Sequence, residues 1–137
     1  VNSKNKILTW AEIVRYEELS EQILQDYPIY GDCYHLFEDI ARVKKLSSRV
    51  LGISGVLPVK NPRSVTKMNF ISVSSNKTKY AALKEVQSVF GTFYLESGIF
   101  PNIQVLPKEF LVHPKDFAPN VYRRLRERGT LLYGSKR

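Results

Sequence analysis

The chain has 137 residues, a formal net charge of +8 and 43% apolar residues, with eight Tyr, seven Phe and one Trp. That length suits one domain with a real core, and that apolar content excludes an intrinsically disordered chain. No run approaches the roughly 18 apolar residues that cross a bilayer, no charged segment leads into an apolar signal core, and the one cysteine, Cys33, excludes an internal disulfide.

In chain order, Thr9-Trp10-Ala11-Glu12 has the form of a capping box, with a hydroxyl to accept from an early amide and a Glu to reach back. Trp10, Ile13, Tyr16, Leu19 and Ile23 then recur at helical spacing, predicting one helix that ends before Tyr27-Pro28. Gly31-Asp32 gives a turn and a second N-cap, and Cys33, Leu36, Phe37, Ile40 and Val43 line one face of the next helix. Glu38 and Arg42 are spaced to pair across one turn of it.

The pattern then changes to β-branched residues, predicting strands over Val50–Val59 and Met68–Ser74 joined as a hairpin. Its tip, Lys60 to Lys67, carries three cations. Ser75 or Asn76 caps a third helix with Tyr80, Leu83, Val86 and Phe90 as the buried stripe, stopped by Gly91. Short strands are predicted around Thr92–Glu96 and Ile103–Leu106, with Phe110–Val112 as a further candidate. Asp116 caps a last helix, Phe117 to Arg128, and Thr130–Tyr133 closes the chain as a strand. The expected architecture is a single α+β domain over residues 1–137, in the order α-α-β-β-α-β-β-α-β, with a small, largely antiparallel sheet. Val1 in place of Met suggests a fragment of a longer or processed protein, and the lone cysteine fits an intracellular setting, nuclear or cytoplasmic.

Charge is distributed unevenly along this framework. Residues 1–39 hold three basic and eight acidic groups, residues 40–84 ten basic and none acidic, and residues 85–137 eight basic and five acidic. The central block, bounded by Asp39 and Glu85, consists of Arg42, Lys44, Lys45, Arg49, Lys60, Arg63, Lys67, Lys77, Lys79 and Lys84. A run of cations with no carboxylate inside it points to a polyanion, and DNA or RNA is the expected partner. The hairpin tip (Lys60, Arg63, Lys67) can straddle a phosphate backbone. The start of the third helix (Ser75, Asn76, Lys77, Lys79) offers free amides beside lysines.

Arg123, Arg124, Arg126 and Arg128 on the last helix extend this set, with Arg124 and Arg128 on one face and Val121 and Leu125 turned inward. The stretch from Tyr122 to Tyr133, a basic helix, a Gly and a short apolar strand, resembles the recognition-helix-to-wing segment of winged-helix domains. That resemblance implies DNA contact by Arg123, Arg124 and Arg128. The alternative is a protein-interaction module of a chromatin, replication or ribonucleoprotein assembly, docking through the acidic N-terminal helices at Glu17, Glu18 and Glu21. No membrane partner is expected.

Enzymatic patterns are missing from the sequence. There is no phosphate-binding Gly-x-x-x-x-Gly-Lys loop and no dinucleotide glycine fingerprint, and no cofactor is expected. Gly52-Ile53-Ser54-Gly55 falls one position short of a nucleophile elbow. Cys33 and His35 lack the second Cys/His pair of a zinc site, and Cys33 on the apolar stripe reads as a small buried thiol.

Overall fold

The computed structural model describes residues 8, 10–13, 15–42, 46, 49–57, 65–75 and 79–134. They form an α+β domain built on a four-stranded mixed sheet of β1 (Val50–Val56), β2 (Lys67–Ser74), β3 (Phe100–Pro107) and β4 (Gly129–Gly134), in the order β3-β2-β1-β4. The predicted α+β class therefore holds, with a strand arrangement in which β1 pairs antiparallel with both β2 and β4 and β2 pairs parallel with β3.

The N-terminal helical stretch is broken into pieces. Helix α1 spans Trp10–Ile13, a 3-10 turn follows at Tyr16–Glu18, and α2 runs from Glu21 to Asp26. The break is at Leu19 and Ser20, both extended. The Ser20 hydroxyl accepts from the Ile23 N–H at 3.2 Å and starts α2 afresh. Thr9, the hydroxyl of the predicted capping box, lies outside the described residues. Tyr27 ends α2 ahead of Pro28, as predicted. Helix α3 then spans Ile29–Arg42, earlier than Gly31-Asp32 would place it, because the Asp32 N–H already donates to the Pro28 carbonyl at 3.2 Å.

The α3 stripe of Ile29, Cys33, Leu36 and Ile40 is buried as its spacing demands. Cys33 packs its Sγ 3.9 Å from the Met68 Sδ, and burial pushes its thiol far above the usual range. Tyr30 is 1% exposed, and its hydroxyl accepts from the Leu8 N–H at 3.0 Å. The anchor for a buried phenol is thus 22 residues away in sequence.

Strands β1 (Val50–Val56) and β2 (Lys67–Ser74) form the predicted hairpin. Helix α4, Lys79–Ser97, then crosses to β3 (Phe100–Pro107). Thr92–Glu96 is therefore helix, not strand, and Gly91 lies inside it. A parallel return must travel the whole length of β2. Nineteen residues of helix cover about 28 Å, matching the ~26 Å of an eight-residue strand. The C-terminal glycine is Gly98, with φ of +73° and its N–H donating to the Tyr94 carbonyl at 2.9 Å. The buried face of α4 is Ala82, Val86, Val89, Phe90 and Phe93, while Tyr80, predicted to be buried, is 83% exposed.

Phe110–Val112 is likewise helical, within α5 (Glu109–Val112), followed by α6 (Pro114–Phe117) and α7 (Pro119–Arg128). Pro119 takes the first helical position, where its missing N–H costs nothing. Gly129 caps α7 and begins β4 (Gly129–Gly134) without an intervening loop. A Cβ there would lie 2.7 Å from the Leu125 Cα.

The sheet divides the core in two. Ile53, Met68 and Phe70 face α3 and α4, where the Phe70 and Phe90 rings lie 4.3 Å apart. Ile71, Val73 and Leu106 point the other way, under Phe110, Val121 and Leu125. No helix among the described residues is long and apolar enough to cross a membrane.

Candidate functional site

Strand alternation puts Lys67, Asn69, Ile71 and Val73 of β2 on the α7 side of the sheet, and parallel pairing sets Asn102, Gln104 and Leu106 of β3 beside the last three. The apolar half of this surface lies beneath α5 and α7. The polar half, at the start of both strands, floors a cleft of about 240 Å³ bordered by Val56, Val121 and Arg124. The Asn102 Nδ2 donates to the Asn69 Oδ1 at 2.9 Å, tying the two carboxamides across the strands. Asn102 and Gln104 are exposed and Asn69 half-buried, with Arg124 half-buried at the margin. No carboxylate lines this cleft among the described residues.

A second groove of about 300 Å³ adjoins the first across the edge strand, between α4 and β3. Phe100 and Tyr94 meet edge to face there, ring centroids 5.9 Å apart, and both are about half exposed. Asn102 belongs to both depressions. A strip therefore runs from the Arg124 guanidinium over three carboxamides to two aromatic rings.

The cations singled out by sequence fall into separate places. Arg42, at the end of α3, pairs with Asp39, and not with Glu38, which engages His35. Arg49 precedes β1 and stands 3.8 Å from Glu85. Asp39 and Glu85 are the two carboxylates that bound the basic run, so its flanks fold back and partly compensate it. Lys84 is exposed on α4, on the same side. Lys67, Arg124 and Arg128 sit at the other end of β1, about 20 Å away by strand length. Lys44, Lys45, Lys60, Arg63 and Lys77 lie outside the described residues, as does the side chain of Lys79. The hairpin tip and most of the predicted helix-start cradle fall there too.

Within α7, Arg123 is exposed beside Arg124, whereas Arg128 reaches the Leu57 carbonyl with Nη1 at 3.4 Å. The Leu57 N–H in turn donates to the Arg128 carbonyl at 3.1 Å, so Arg128 straps the helix end to β1. Arg126 and Lys115 lie over the Tyr122 ring, 5.7 and 5.9 Å from its centroid. The winged-helix likeness does not extend to the fold. The strand after α7 is hydrogen-bonded into the main sheet against β1, and Val121 and Leu125 seat the helix on that sheet.

Asn69, Asn102 and Gln104 were not foreseen from sequence. Their signal is present: Asn69-x-Ile71-x-Val73 and Asn102-x-Gln104-x-Leu106 both pass from polar to apolar along alternate residues. Only parallel pairing of the two strands turns those patterns into one polar surface. Among the described residues no three His, Cys, Asp or Glu side chains gather as metal ligands. The chain matches no family model, and no curated protein or solved structure is detectably similar to it.

Proposed function

We propose that the protein binds nucleic acid across the open polar half of its sheet, with Arg124 and Lys67 as the phosphate-contacting residues and exposed Arg123 beside them. The carrying observation is a cleft bordered by a guanidinium and floored by neutral carboxamides, with no carboxylate in the described lining. Such a surface attracts a polyanion without repelling it locally, and a half-buried arginine offers its planar fork with less ordering cost than a free one. Arg42 and Arg49, paired with Asp39 and Glu85, contribute to the general positive field and not to this cleft.

The test is binding as a function of salt. A single strand that covers the cleft should bind more weakly as salt rises, and Arg124→Ala should reduce the magnitude of the log–log slope by about 0.7. A salt-independent affinity, or one indifferent to both Arg124→Ala and Lys67→Ala, would defeat the proposal.

A second reading is supported by Glu17, Glu18 and Glu21, which are exposed and form no ion pair among the described residues. They offer a docking face for a basic protein partner on the N-terminal helices. Charge reversal at these three positions would abolish capture of such a partner and leave nucleic-acid affinity equal or higher.

A further inference from the structure

Resting on the proposed nucleic-acid reading, we infer that the cleft takes one unpaired base of a single strand and recognises its edge through the linked Asn69–Asn102 carboxamides, with adenine preferred. Phosphate charge alone carries no information about bases. The floor of the cleft is different chemistry.

Each carboxamide carries two N–H donors and one carbonyl acceptor. In the linked pair one Asn102 hydrogen and the Asn69 oxygen are committed to each other. What is left for a ligand includes the second Asn102 amide hydrogen as donor and the Asn102 oxygen as acceptor, side by side on one planar group held by its bond to Asn69. Exchanging O and N in both side chains leaves the same complement. A donor beside an acceptor, held by a mutual bond, matches a base edge that presents an acceptor beside a donor. Adenine meets this condition on two edges, because its N6 amino group is flanked by N1 and by N7. Carboxamide side chains pair bidentately with adenine for this reason.

The neighbouring features fit a single strand. A duplex keeps its Watson–Crick edges paired and cannot turn a base into a cleft of about 240 Å³. Gln104, on the same side one alternate residue along, supplies a further carboxamide at the ligand surface. Phe100 and Tyr94, in the groove that shares Asn102, offer ring surface on which a following base stacks. Arg124 at the opposite margin meets the phosphate. The order across the edge strand is thus phosphate, base edge, stacking ring.

The experiment is fluorescence anisotropy with labelled oligo-A, oligo-C and oligo-U of equal length, and so equal charge, at one moderate salt concentration. The unmodified protein should bind oligo-A about tenfold more tightly than oligo-U. Asn102→Ala, at an exposed position, should bring the three within about twofold, with the largest loss for oligo-A. Gln104→Ala is the second variant and should narrow the same spread. If all three strands bind the unmodified protein equally while Arg124→Ala still weakens each, base recognition is overturned and phosphate binding survives. A preference that persists in both carboxamide variants overturns the assignment to this cleft. No binding of any strand at low salt overturns both proposals.

Discussion

The side of the sheet beneath α3 and α4 carries Ile53, Met68 and Phe70, each 2% exposed or less. The opposite side passes from Ile71, Val73 and Leu106 to Asn69, Asn102 and Gln104 within the same strands. The difference follows the helices laid against each side. Helix α4 has 19 residues and runs the full strand length, whereas α7 has ten and covers about 15 Å. The apolar residues lie under Phe110 of α5 and Val121 and Leu125 of α7. A polar surface on a central strand is thus no flaw in the core, because among the described residues no helix is packed over Asn102 and Gln104, which are exposed. On the proposed reading, this is where a nucleic acid has access.

The largest test of this contrast sets the two sides against each other. Phe70→Ala, which removes a ring packed on Phe90 and Phe93, should lower unfolding free energy by about 3–5 kcal/mol in a denaturant titration. Asn102→Ala, on the open side, should change it by less than about 0.5 kcal/mol. Comparable losses would mean that the open half carries structural load. Next in size, Gly129→Ala drives a methyl group to 2.7 Å from the Leu125 Cα and 2.8 Å from its carbonyl oxygen. A loss of roughly 1–3 kcal/mol is expected, together with loosening of α7 over the cleft, read as faster amide exchange in β4. The smallest effect has the opposite sign. Gly91 lies within α4 with open space where a Cβ would be. Gly91→Ala should raise stability by about 0.5–1 kcal/mol through helix propensity.

Local chemistry made part of this molecule legible. The β1–β2 hairpin followed from two β-branched runs, and the α3 stripe followed from the spacing of Cys33, Leu36 and Ile40. Both depend on neighbours in sequence. The parallel β2–β3 pairing was hidden by Gly91. Ending α4 there left too little chain to return along β2 and turned Thr92–Glu96 into an imagined strand. Tertiary burial of Val89, Phe90 and Phe93 outweighed the propensity cost of one exposed glycine. The basic run was legible as composition but not as a surface. Asp39 and Glu85 border it in sequence and reach Arg42 and Arg49 in space. The carboxamide cleft required register, which no single strand contains.

Strand β3 is an outer strand of the sheet and includes Pro101 and Pro107. The Phe100 N–H donates inward to the Thr66 carbonyl, so by alternation residues 101, 103, 105 and 107 direct their backbone away from the sheet. Two of those four have no hydrogen to give. A foreign chain seeking to lengthen the sheet along this margin finds donors only at Ile103 and Val105, too few to template a stable ladder. The rim beside the cleft is thereby closed to fibril-like growth.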